Sequence, residues 1–166
     1  MYELKYFCGE ITIDNEVMIE ILEKCRLSTG TNRKKKYKEF YGCYPTKDMI
    51  SATWGYTKRP YLTPSTNRTE SDYYGYYQTQ VMTHNPHLRE VFEEYAILHL
   101  PPNFFWSQVQ INKNYKIQPH VDAPNQGMSY IVGMGEYGLG ELCILKSGKV
   151  DKIDIKDKPY KFNGSR

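Results

Sequence analysis

Beyond Pro101 and Pro102 the chain breaks into short apolar runs separated by Gly127, Gly133, Gly135, Gly138, Gly140 and Gly148. Short runs between glycine turns leave no room for helices that cross over between parallel strands. They point instead to a sandwich or barrel. The expected strands are Phe104 to Tyr115, Ser129 to Met134, Glu141 to Leu145 and Lys149 to Ile155. In the first of these, Trp106, Gln108, Gln110 and Asn112 fall on one face while Val109 and Ile111 fall on the other, because strand side chains alternate. The apolar face reads as packing. The carboxamide face reads as the wall of a polar cavity, with a solvated outer face as the alternative.

The first hundred residues have a different texture. Glu3 to Phe7 and Glu10 to Ile13 read as short strands. Asp14 or Asn15 then caps a helix in which Val17, Ile21 and Leu22 recur at helical spacing, ending before Gly30. Ser28 to Thr46 reads as a polar loop, Met49 to Trp54 as a strand, and Lys58 to Gln78 as a long irregular stretch. A second helix starts at Asn85 and Pro86, buries Leu88, Val91, Phe92 and Tyr95, and stops before Pro101.

Charge is uneven. Arg33, Lys34, Lys35, Lys36 and Lys38 face only Glu39 in a chain of formal net charge +3, so the remainder is close to neutral. A basic segment from Arg33 to Lys38 is a candidate contact for nucleic-acid phosphates, a nuclear-import signal, or simply a solvated loop. Nine of the sixteen tyrosines lie between Tyr37 and Tyr77. Their rings suit either base stacking or the cover of a sheet. Cys8, Cys25, Cys43 and Cys143 form no close pair, and no long apolar run or charged leader is present. The expectation is reduced thiols, no membrane span, and a cytoplasmic or nuclear protein.

Chemistry enters at Gln118-Pro-His-Val-Asp122. Two positions apart on an extended chain, His120 and Asp122 share a side and can bind one ion from adjacent positions. Two histidines and one carboxylate on one face of an octahedral iron(II) leave three sites open, the pattern of non-haem iron oxygenases. By itself the tripeptide is weak, since such matches arise by chance.

Its surroundings add specificity. Gln110-Ile-Asn-Lys-Asn114, Pro119-His-Val-Asp122, Asn125-x-Gly127-x-Ser129, Gly133-x-Gly135, Gly140-Glu-Leu142 and Phe162-x-Gly164 follow in order. Together this resembles the 2-oxoglutarate- and iron(II)-dependent dioxygenase superfamily, in particular the branch of the ten-eleven-translocation and J-binding proteins and their viral and algal relatives.

The resemblance implies an α+β fold in a single domain. A helix, strand and loop region over residues 1–103 would pack its helices on a double-stranded β-helix (a jelly roll, cupin-like) over 104–166. It implies iron(II), 2-oxoglutarate and O2 as cofactors, His120 and Asp122 as metal ligands, and Asn112 and Ser129 facing the co-substrate. The implied reaction is hydroxylation coupled to decarboxylation of 2-oxoglutarate, with a nucleic-acid base as leading substrate. A protein or small-molecule hydroxylase, or an inactive cupin-like binding module, are the alternatives.

One departure is clear. No histidine follows His120; His84, His87 and His99 all precede it, the first two expected at the surface and His99 buried at a helix end. Arg166 stands too early in the pattern to clamp the co-substrate. The expectation is a chain cut short before the distal histidine and the last strands. A natural short form that only binds, or a site completed by an upstream histidine, ranks behind it.

Overall fold

A computed structural model describes residues 12–58, 76–122 and 125–165. The expected strand Glu3 to Phe7 and most of the stretch Lys58 to Gln78 lie outside them. The class is α+β, helices with small antiparallel sheets. Among the described residues those sheets have three, two and two strands and do not close into a barrel. No described helix is long and apolar enough to cross a membrane. The chain gathers into two compact units, each drawn from both halves of the sequence.

The unit formed by 25–89 and 103–118 is built on a sheet ordered β2-β1-β3, from β1 (Ile50–Lys58), β2 (Tyr76–Gln78) and β3 (Gln108–Lys113). Central β1 sets the two faces. Ala52 and Trp54 stand opposite Ile111 and Val109, while Ser51 and Thr53 stand opposite Asn112 and Gln110. The first set is the unit's core, with Ala52 and Trp54 both almost fully buried. Gly55 adopts φ +122°, and any Cβ there would collide with the Ser107 carbonyl. That close approach is why a glycine interrupts the strand.

Around the sheet lie α2 (Thr31–Tyr41) and α3 (Gln80–His84). Helix α2 overturns the expected loop of Ser28 to Thr46. No glycine or proline occurs between 31 and 41, and lysine and arginine are good helix formers. Gly42, left-handed at φ +81°, returns its N–H to the Lys38 carbonyl and closes the helix. Only Tyr37 of this helix is buried, so no apolar stripe announced it. Its ring packs on Tyr41 and on distant Tyr115, at centroid distances of 4.6 and 5.0 Å.

Asn85 also departs from expectation. It ends α3 instead of capping the following helix, which starts two turn residues later as α4 (Leu88–His99). Its buried carboxamide donates to the Val81 and Arg26 carbonyls and accepts from the Arg26 N–H. Its own carbonyl accepts from Trp54 Nε1 at 2.9 Å.

The other unit comprises residues up to Lys24, then Glu90–Pro102 and Pro119 onward. Asp14 caps α1 (Asn15–Glu23) through Val17 N–H, as its position suggested. Met18 and Ile21 are its buried residues. Val91, Phe92 and Tyr95 of α4 are buried as the periodicity foretold. Tyr95 donates to Asn15 Oδ1 at 2.7 Å. His99 is exposed rather than buried, with its ring edge 3.0 Å from the Ile13 carbonyl.

Strands β4 (Ser129–Ile131) and β7 (Tyr160–Phe162) pair antiparallel; β5 (Leu142–Lys146) and β6 (Lys149–Ile153) form a hairpin. The expected strand through Ile155 stops at Ile153, and Ile155 is buried beside the parallel bridge of Gly133 to Lys156.

Candidate metal centre

Residues Pro119 to Asp122 take no regular secondary structure, so the site depends on what braces this segment. The Asp122 N–H donates to the Gly164 carbonyl at 2.7 Å, and the Asp122 carbonyl accepts from the Asn125 N–H at 2.9 Å. Gly164 follows β7, whose Phe162 stands opposite Ser129 on β4. An added Cβ at Gly164 would lie 3.4 Å from Asp122 Oδ2 and 3.3 Å from Asn125 Nδ2. Beside it, Asn163 Oδ1 accepts from both the N–H and the hydroxyl of Ser165, fixing the turn. Three motifs spread over more than forty residues of sequence thus meet in one place.

With the backbone so held, the two candidate ligands converge. His120 Nε2 lies 3.4 Å from Asp122 Oδ1, and each side chain is a little under half exposed. Val121 between them is 59% exposed. Adjacent donors on an octahedral ion with bonds of about 2.1 Å sit about 3 Å apart. A small side-chain rotation would bring the pair to that spacing, with solvent access left for an ion and further ligands. The donor chemistry, one imidazole and one carboxylate, suits iron(II). Among the described residues, however, no group of three or more His, Cys, Asp or Glu is gathered for a metal. Two donors fit; a third is not among them.

The remaining expected residues separate into the two units. Ser129 lies on β4, half-buried, in the same unit as His120 and Asp122. Asn112 lies on β3 in the other. There its Oδ1 accepts from Ser51 Oγ at 2.8 Å and Gln110 Nε2 at 3.1 Å. The carboxamide face of β3 is exposed at Gln108, Gln110 and Asn112, and it is tied to β1 by the cross-strand partners Ser51 and Thr53.

Sequence reading missed the organiser of that face. Arg33 donates to Ser51 Oγ at 2.7 Å and to Thr53 Oγ1 at 3.0 Å, so it belongs to a hydrogen-bonded network and not to a loose basic run. The lone arginine among lysines was the available signal, since a planar fork suits two acceptors where an ammonium does not. Next to it a cavity of about 370 Å³ is lined by Ser28, Gly30 to Arg33, Ser51 to Thr53, Gln80 and Val81.

His84 is exposed as expected, while half-buried His87 lies 3.6 Å from Cys25 Sγ. Burial pushes the Cys25 thiol up, which keeps it protonated. Comparison with protein-family models, curated proteins and solved structures finds no match to this chain.

Proposed function

We propose that this chain is an iron(II)- and 2-oxoglutarate-dependent dioxygenase with a jelly-roll core, acting on a nucleic-acid base. The observation that supports it best is the 3.4 Å approach of His120 Nε2 to Asp122 Oδ1 on a braced, half-exposed segment. In this reading His120 and Asp122 hold the metal from adjacent positions, and a third ligand comes from outside the described residues. The bound iron supplies oxygen activation coupled to decarboxylation of the keto acid.

The chain's own contribution is positional. Gly164 and Asn125 clamp the Asp122 backbone on both sides, so the carboxylate meets the ion without a further loss of chain entropy. Ser129, on the strand beside Phe162, faces the co-substrate in the proposed site. The nucleic-acid substrate rests on the sequence resemblance and on the charge of α2. A base paired in a duplex would have to be flipped out to reach the metal.

Succinate release from 2-oxoglutarate, with iron(II) and ascorbate, tests the reading. Turnover is expected to require metal, to rise with an oligonucleotide carrying the target base, and to vanish in His120→Ala and Asp122→Ala. Iron binding through those two residues without any succinate would point instead to a cupin-like binding module. Turnover stimulated by a peptide and not by an oligonucleotide would move the substrate to a protein side chain.

A further inference from the structure

Helix α2 carries more than charge. Lys34, Lys35, Lys36 and Lys38 are all exposed. At the helix end, where the chain turns at Gly42, Phe40 is 60% exposed and Tyr44 is 55% exposed. Long lysine stems can cover apolar surface, yet both rings remain open. Two ammonium groups lie over tyrosine rings of this surface. Lys38 Nζ lies 4.5 Å from the Tyr44 ring centroid, and Lys116 Nζ lies 5.5 Å from that of Tyr41. Positions four apart share a flank of a helix. Lys36 and Phe40 therefore lie on one flank, and Lys34 and Lys38 on another. Tyr37 and Tyr41, also four apart, pack against each other and anchor the helix.

We infer that this surface, the exposed lysines of α2 with Phe40 and Tyr44 at its end, grips single-stranded nucleic acid. The lysines take the phosphates and the two rings stack on unpaired bases. The inference rests on the nucleic-acid reading of the substrate and on nothing in the iron chemistry. Charge complementarity selects a polyanion. The rings then discriminate among polyanions. A duplex keeps its base faces stacked on one another and offers no partner to Phe40, whereas a single strand presents a face at each nucleotide. An acidic peptide supplies charge without a row of planar groups.

Fluorescence anisotropy decides it, with labelled oligothymidylate of about 12 nucleotides and a duplex of similar length, over about 50 to 300 mM salt. Circular dichroism confirms that each variant folds, as substitution at exposed positions should allow. Four phosphate contacts on a single strand predict a slope of log K against log salt of about −3. Lys34→Gln, Lys35→Gln and Lys36→Gln together should flatten that slope by about 2. Phe40→Ala with Tyr44→Ala should leave the slope alone and weaken the single strand at least about tenfold, with little effect on the duplex.

Equal binding of duplex and single strand, insensitive to the two rings, would overturn the stacking role while keeping nucleic acid as ligand. Binding to neither would remove the nucleic-acid reading itself. Preference for vesicles containing phosphatidylserine over either oligonucleotide would overturn the inference in favour of a membrane surface.

Discussion

Tyr95 donates its hydroxyl to Asn15 Oδ1 from a ring that is 8% exposed. Burial first, then the charge of Asp157, pushes its ionisation up to about 12. A tyrosine in the unfolded chain loses its proton near 10. Between those values the native state holds a proton that the unfolded state releases, so this stabilisation is intact below about pH 10 and is lost as pH climbs to about 12. Urea midpoints of the native protein should fall across that window, and Tyr95→Phe should fall less steeply while costing about 1 kcal/mol at neutral pH. Parallel pH curves for the two proteins would show that another group controls the alkaline limit. Asn85 tests burial differently. Its carboxamide serves both backbone groups of Arg26 as well as Val81, so Asn85→Ala strands several polar groups and should cost about 3 kcal/mol in chemical denaturation. The sequence placed Asn85 at a helix boundary correctly but on the wrong helix. Its partner Arg26 is fifty-nine residues away, and no local pattern links the two.

At the level of elements, legibility followed locality. The β5–β6 hairpin was readable to within two residues because its turn chemistry is local. Ser147 and Gly148 both take positive φ, 49° and 78°, the two-residue turn whose twist matches that of paired strands. Ser147→Asn should stabilise it by a few tenths of a kcal/mol, since asparagine tolerates that conformation better. Gly148→Val should destabilise it by about 1 to 2 kcal/mol. Amide exchange in residues 142–153 is the readout, with faster exchange only in the valine variant; unchanged rates there would mean the turn does not set the register. Strand β7 was invisible to sequence reading for the opposite reason. It is three residues long, and its partner β4 lies about thirty residues upstream. Helix α2 hid because a helix with one buried residue shows no apolar stripe, and the burial of Tyr37 against Tyr115 is a long-range event.

For the molecule as a whole, the candidate centre divides the same way. The pairing of His120 with Asp122 could be read from a spacing of two, and Phe162-x-Gly164 marked the segment that braces them, but that Gly164 holds the Asp122 N–H needed coordinates. Both side chains are nearly half exposed, so their loss should barely change the apoprotein. Their effect should emerge only through linkage: an ion that binds the native state and not the unfolded one stabilises it by RT ln(1 + [L]/Kd). With manganese(II), a redox-quiet stand-in for iron(II), at about one hundred times Kd, the gain is about 2.7 kcal/mol. In a chain of this size that raises Tm by roughly 5 to 10 °C. His120→Ala and Asp122→Ala should each keep the apoprotein Tm to within about 2 °C and abolish most of the manganese-dependent rise. Asp122→Asn, isosteric but neutral, should fall between them and the native chain, since it keeps an oxygen donor and loses the charge. A rise that survives both alanine variants would place the metal elsewhere in the protein. An unchanged native Tm at saturating manganese would mean that two donors 3.4 Å apart are too few to hold an ion in this chain.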